Sequence, residues 1–140
     1  MAISVFTDPY VSINSVDLSD HVRSCSMSYS PELQDPTAGG ATTRGNIAGL
    51  LDWTVDVEFN QDYAAGKVDA TLFSLVGAAE FAIEVRPTSS AVSATNPKFT
   101  ADAVLESYQP MGGTVGDIHV TPITLRPGDS SANVLIRATS

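Results

Sequence analysis

The sequence predicts a mostly β domain, a small sandwich or partly rolled sheet of about seven strands with one short flanking helix. Three observations lead there. Several segments alternate apolar and polar residues with a period of two, and only one segment carries apolar residues at helical spacing. Gly, Pro, Asn and Asp recur between these segments, where turns need their backbone freedom or side-chain hydrogen bonds.

Residues 11–13 read as a short strand, followed by a turn at Asn14-Ser15-Val16-Asp17. Residues 18–22 lead into a second strand, over 23–30, where Cys25, Met27 and Tyr29 alternate with Ser24, Ser26, Ser28 and Ser30. That period places one side toward a core and leaves a serine face, which water can solvate or another subunit can cover without stranding a charge. Residues 31–50 are rich in Pro, Gly, Thr and Ala and show no sustained period, so they are expected to form a long loop. Loops above roughly 12–15 residues are uncommon inside compact domains and are usually functional or disordered.

The clearest amphipathic strand follows. Trp53, Val55, Val57 and Phe59 alternate with Asp52, Thr54, Asp56 and Glu58, so the outward face is expected to be a carboxylate row. Residues 66–76 form the one convincing helix, with Val68, Leu72, Leu75 and Val76 on one face and Gly77 as its stop. Phe81, Ile83 and Val85 then alternate with Ala82, Glu84 and Arg86, and residues 87–97 make a Ser/Ala/Thr loop. The strand over 99–108 sets Phe99, Ala101, Ala103 and Leu105 on one side and Asp102, Val104, Glu106 and Tyr108 on the other. Its small inward residues imply close packing, under the helix. A glycine-rich turn at 111–117 leads to a strand over 118–125 whose Pro122 predicts an edge or a bulge. A last strand lies around 134–137.

A length of 140 residues predicts a single domain over 1–140. Charged residues are only 16% of the chain, below the roughly 25% of ordinary soluble domains. Ser, Thr, Ala and Gly fill the surface instead, and such side chains lose little entropy when they pack against a neighbour. Seven Lys and Arg against sixteen Asp and Glu give a net charge of −9, which repels nucleic-acid phosphates and anionic membranes. No apolar run approaches the roughly 20 residues of a membrane span, and residues 1–10 lack the basic start and apolar stretch of a secretory signal, so synthesis in a cytoplasm is expected. The single Cys25 has no partner for an intrachain disulfide.

Motifs for chemistry are sparse. His21 stands beside Asp20, but adjacent residues on an extended segment point apart, there is no G-x-S-x-G elbow, and Cys25 reads as a strand residue facing the core. His119 sits inside a Thr/Val segment and reads as a surface strand residue. Asp56 and Glu58 share a strand face with Asp52, an arrangement that a hard cation could use, although acidic strand faces are usually just solvated. Gly39-Gly40 and Gly112-Gly113 read as turn glycines, not as phosphate cradles, so no cofactor and no enzymatic activity is expected.

The order of elements carries a resemblance. The strand-loop-strand opening, the long stretch over 31–50, and Gly49-Leu50-Leu51-Asp52-Trp53-Thr54-Val55-Asp56-Val57-Glu58-Phe59 are followed by an acidic turn, the single helix and the strands over 81–87 and 99–108. This order, from about residue 11 to about residue 125, resembles the major tail tube proteins of long-tailed, siphovirus-like bacteriophages. It is a likeness of element order, not of a diagnostic motif. The resemblance implies a tail-tube-type β fold with one flanking α-helix and a long early loop. It implies a virion structural protein made in the host cytoplasm and located in the tail, whose copies form hexameric rings stacked into a hollow tube. A tape-measure protein and tail terminator or head–tail connector proteins would be its partners, and DNA would pass without sticking. The long loop, with Pro31, Pro36, Thr37, Thr42, Arg44, Ile47 and Leu50, would reach a neighbouring ring, and Asp52, Asp56 and Glu58 would face the lumen.

Two other readings fit the same composition. A capsid-decorating or head–tail connector protein would bind another protein's lattice instead of stacking with itself. A cation- or carbohydrate-binding module would use Trp53, Tyr63 and the Asp56/Glu58 pair, although Trp53 falls on the apolar side of its strand and is expected to be buried.

Overall fold

The computed structural model describes residue 3 and residues 5–140. Strand β1 (Tyr10–Ile13) turns through Asn14 and Ser15, at φ of 51° and 67°, into the two-residue β2 (Val16–Asp17). Two consecutive positive φ values are the geometry of a tight hairpin turn, and Asn adopts it more readily than most side chains. A 3-10 turn at Ser19–His21 leads into β3 (Val22–Gln34), which pairs with β4 (Ile47–Asn60). Helix α1 (Val68–Leu72) runs on into a 3-10 turn (Phe73–Leu75), and β5 (Phe81–Arg86), β6 (Lys98–Tyr108), β7 (Val120–Pro127) and β8 (Ile136–Ala138) complete the chain.

All pairings are antiparallel, and they make one sheet in the order β2-β1-β5-β6-β7-β4-β3, with β8 on β6. Of the two architectures expected, the rolled sheet is the one formed. Val11 and Ile13 of β1 lie in the same core as Val57 and Phe59 of β4, although three strands separate β1 from β4 in the sheet. One apolar groove is lined by Cys25 and Met27 of β3 together with Val85 of β5 and Phe99 of β6. The sheet therefore curls until its ends share a single interior. Val68, Leu72 and Leu75 of the helical segment add to that interior.

Local chemistry accounts for most elements. Trp53, Val55, Val57 and Phe59 are all buried while Asp52 and Asp56 are exposed, as the alternation requires. The α-helix is shorter than the expected 66–76, because Gly66 has a positive φ (74°) just before it and its last turn tightens to 3-10 geometry. Gly77, at φ 75°, is the expected stop.

Three expectations need correction. Residues 31–50 are not a loop: β3 continues to Gln34 and β4 begins at Ile47, so only 35–46 connect them. Pairings of Pro31 with Leu51, Leu33 with Ala48 and Gln34 with Ile47 carry the ladder outward across a bulge. Gly49 sits at that bulge, where a Cβ would stand 3.0 Å from the Glu32 carbonyl oxygen. Tyr108 does not share the outward side of β6 with Asp102. A register shift between Leu105 and Ser107 turns it back to the core, against which its ring packs. Pro122 is not on an edge strand, since β7 lies between β6 and β4. Pairing with β6 stops at Ile123, however, so one side of β7 is open at the proline.

Phe59 is fully buried in the core that β4 and β7 share with the helical segment. Phe59→Ala is expected to destabilise the fold by about 3–5 kcal/mol, read as a lower denaturant midpoint with an unchanged slope in dilute, unassembled protein.

Candidate assembly surfaces

The β3–β4 hairpin outruns the body. Directly paired residues on neighbouring strands share a face, so Cys25/Val57, Met27/Val55, Tyr29/Trp53, Pro31/Leu51 and Leu33/Ala48 form one continuous apolar stripe. Its inner part lies over the core. Its outer part is only partly covered: Tyr29, Leu33 and Leu51 are 48%, 59% and 58% exposed, and Tyr29 and Leu51 border a small cavity with Pro127, Asn133, Val134 and Leu135. A two-stranded ribbon is marginal in water by itself, and this one also presents a half-exposed apolar face. Of the residues expected to form an inter-ring loop, Pro31 lies on that face within β3, while Ile47 lies on the opposite face of β4 beside Gln34 and Leu50 falls at the bulge. Pro36, Thr37, Thr42 and Arg44 are in the tip.

The tip braces itself. Asp35 accepts a hydrogen bond from the Thr37 N–H at 2.8 Å, and the Thr37 hydroxyl accepts one from the Gly45 N–H at 2.8 Å. Hydrogen bonds from the Thr37 side chain and backbone hold the Asp35 carboxyl below the ordinary range. Arg44 approaches Asp35 at 3.7 Å but remains 83% exposed. The missed part of this surface, Tyr29, Leu33 and Leu51, left a signal in the sequence: the odd-numbered apolar positions of β3 run on through Pro31 to Leu33 without losing phase.

On the other face of the same strands, Ser24, Ser26, Ser28 and Ser30 stand opposite Glu58, Asp56, Thr54 and Asp52. The carboxylate row is outward, as expected, but it is not bare. Arg126 of β7 donates to Asp52 at 2.8 Å, the Thr124 hydroxyl donates to Asp56 at 2.9 Å, and the Arg23 guanidinium lies 3.9 Å from Glu58. Cross-strand register brings these partners together, and sequence spacing alone does not reveal it. The face is hydroxyl-rich and its charge is partly compensated. Among the described residues β3 is also an edge of the sheet, paired with β4 on one side only.

The other candidate residues are structural. Asp20 and His21 do not point apart, because the 3-10 turn brings them together: Nδ1 of His21 is 2.7 Å from Asp20 and Nε2 is 2.8 Å from Asp62. Both ring nitrogens are thus engaged by carboxylates. His21 instead joins the start of β3 to the turn after β4. That turn is further fixed where Asp62 accepts from the Ala64 N–H at 2.9 Å. Tyr108 donates to Asp69 of α1 at 2.6 Å, and Gln61 donates to the Tyr108 oxygen at 2.9 Å and to the Pro110 carbonyl at 2.7 Å. Burial, then the bond to Asp69, pushes the Tyr108 hydroxyl up to about 12. Trp53 is buried with its indole N–H donating to the Asn133 carbonyl at 2.7 Å, so it offers no stacking face to a sugar. Tyr63 donates to the Pro110 carbonyl at 2.7 Å and meets His119 edge-on. Among the described residues, no group of three His, Cys, Asp or Glu side chains gathers to hold a metal.

No protein-family model and no curated protein sequence matches the chain. Solved structures share its fold over nearly the whole length. A chain of the virion of a native gene transfer agent particle superposes with a TM-score of 0.75 at 10% identity, covering 97% of this chain and 99% of that one. A chain from the sheath–tube complex of an extracellular contractile injection system in its extended state gives 0.67 at 16% identity, covering 99% and 92%. A chain from the tail of an empty gene transfer agent particle, of C6 symmetry, gives 0.64 at 11% identity, covering 86% and 83%. The mostly β, tail-tube-type fold is thus the fold observed, and the likeness is one of fold rather than of sequence.

Cys25 and Asp62 contribute to stability with opposite pH dependence. Burial, helped by Asp56, pushes the Cys25 thiol up to about 11. Its contribution to stability is full below the ordinary thiol value and is lost as pH rises through about 11. Asp62 is held below the ordinary carboxyl range by the Ala64 N–H and then by His21, so its contribution is present at neutral pH and is lost as pH falls through that lowered value. Alkylation of Cys25 by iodoacetamide near about pH 8 should therefore be slow in the native protein and fast once it is unfolded. Cys25→Ser should make the alkaline limb of the stability curve shallower, leaving the part that Tyr108 contributes, and leave the acid limb unchanged.

Proposed function

We propose that this chain is a tail tube subunit: a virion structural protein that assembles with copies of itself into stacked hexameric rings and forms a conduit for DNA ejection. The observation that carries this reading is the apolar β-ribbon extending past the core, which has no reason to exist in a protein that stays alone. The shared fold with chains of tail and sheath–tube assemblies supports the same conclusion. The free edge of β3 gives each subunit a place to extend its sheet into a neighbour, and such pairing removes an edge that otherwise invites aggregation. The ribbon and its tip, with Pro31, Pro36, Thr37, Thr42, Arg44, Ile47 and Leu50, reach the neighbouring ring.

In this reading Asp52, Asp56 and Glu58 face the lumen, alongside the serines of β3. With Arg23 and Arg126 neutralising part of the charge, the wall is hydroxylated and weakly anionic. Such a surface supplies few cations to hold a phosphate backbone and little apolar area to hold bases, so DNA slides past it. The tube grows around a tape-measure protein and ends at terminator or connector proteins, and its place is the virion tail.

Negative-stain electron microscopy of the purified protein across concentration and salt should show hollow tubes of uniform diameter. Deleting residues 36–45 should leave the circular dichroism spectrum of a folded protein and abolish tubes. Reversing both Asp56 and Glu58 to Lys should still permit tubes but slow DNA delivery in particles carrying them; unchanged delivery would remove these two residues from the lumen.

A further inference from the structure

The curled sheet meets itself along a seam. Among the described residues β3 pairs only with β4, and across from it stand β5 and β6, with which it shares no backbone ladder. An apolar groove of about 190 Å³ opens on this seam, with Cys25 and Met27 on the β3 wall and Val85, Pro87 and Phe99 on the other. Val85 belongs to the core and Cys25, Met27 and Phe99 pack against it, so the groove leads to the interior.

The segment before β1 arrives at this groove, and Phe6 is one of its lining residues. Just behind Phe6 the chain is pinned to the rim. The Ser89 hydroxyl donates to Asp8, Tyr10 pairs with Arg86, and the Arg86 guanidinium, itself on the groove, lies 4.2 Å over the Tyr10 ring. Arg86 is steadied in turn by Glu84, to which its Nε donates at 2.6 Å. Ahead of the pin the segment is apolar and open to water: Ile3, Val5 and Phe6 are 85%, 80% and 55% exposed. An apolar segment tethered at the rim of an apolar groove meets its own groove at a high effective concentration, which a segment from another copy must compete against.

We propose that the segment before β1 is a removable cover: Phe6 enters the chain's own groove between Met27 and Phe99, Val5 follows along β3, and the seam is closed while the subunit is alone. This rests on the tail tube reading and adds to it the contact that keeps subunits apart before they assemble. A strand that adds to the edge of β3 lies across the same seam, so it must displace the cover. The contact is shallow, with Phe6 still half exposed, and a shallow apolar contact is one that a longer backbone ladder can replace.

Cys25 reports on the cover, because it stands on the groove wall. In dilute, full-length protein Phe6→Ser should speed alkylation of Cys25 by iodoacetamide at least about ten-fold, and Phe6→Leu should restore the protection. Circular dichroism and a denaturant midpoint close to wild type show that the reagent enters by the groove and not by unfolding. Equal alkylation rates in wild-type and Phe6→Ser monomers would overturn the inference. So would an effect of Phe6→Ser seen only at concentrations where the protein assembles, which would give the groove to a segment of a second copy. The same variants are then followed by light scattering as the concentration is raised. Phe6→Ser should shorten the lag before tubes form, and Phe6→Leu should leave it as in wild type. A longer lag or lost assembly in Phe6→Ser would overturn the cover and make the segment a joint of the finished tube. Wild-type and Phe6→Ser protein that both stay monomeric at every concentration, with the alkylation difference intact, would overturn the tube reading and leave Phe6 in its groove.

Discussion

The ladder between β3 and β4 continues past the last core residue, and the rest of the structure is organised around that excess. Within the body, the stripe of Cys25, Met27, Val55 and Val57 is covered, partly or wholly, by the curled sheet. Beyond Trp53 the same stripe is half exposed, and backbone pairing holds it out as a ribbon. Pairing satisfies the backbone but does nothing for apolar side chains in water, so covering this face would stabilise the ribbon. An exposed apolar face of this kind marks an interaction surface.

The body is built to hold that ribbon in a fixed direction. Curling brings β1 and β4 into one interior, and Trp53, at the base of the ribbon, is anchored by its hydrogen bond to the Asn133 carbonyl. At the other end of β4, the His21–Asp62 contact and the Tyr108–Asp69 bond join the 3-10 turn, the β4 exit, the helix and β6 in one polar network. Each bond is modest alone. Together they leave the strand between the two ends little freedom to tilt.

Charge works by the same economy. Sixteen carboxylates make the chain strongly acidic, but on the face shared by β3, β4 and β7 the acids have hydroxyl or guanidinium partners. Exposed pairs of this kind contribute little to stability. Their effect is on the surface: a strip of serines and partly compensated carboxylates that offers few cations to a polyanion.

Much of this was legible in the sequence. The period of two over 52–59 determined which side of β4 is buried, the helical spacing with Gly77 determined the one helix, and the odd-numbered positions of β3 determined its apolar side, because these are consequences of local backbone geometry. The element order was enough to indicate the tail-tube-type fold. Local patterns were silent where partners lie far apart in the chain. The 31–50 stretch looks like a loop because Pro, Gly and Thr obscure its period, and only pairing across the hairpin makes it a ribbon. Tyr108 faces the core because a bulge shifts its phase, Asp20 and His21 meet because a 3-10 turn replaces extended chain, and Asp52 finds Arg126 across a strand register. Each of these depends on contacts between residues dozens of positions apart or on a one-residue change in backbone phase, and such contacts exist only once the sheet has closed.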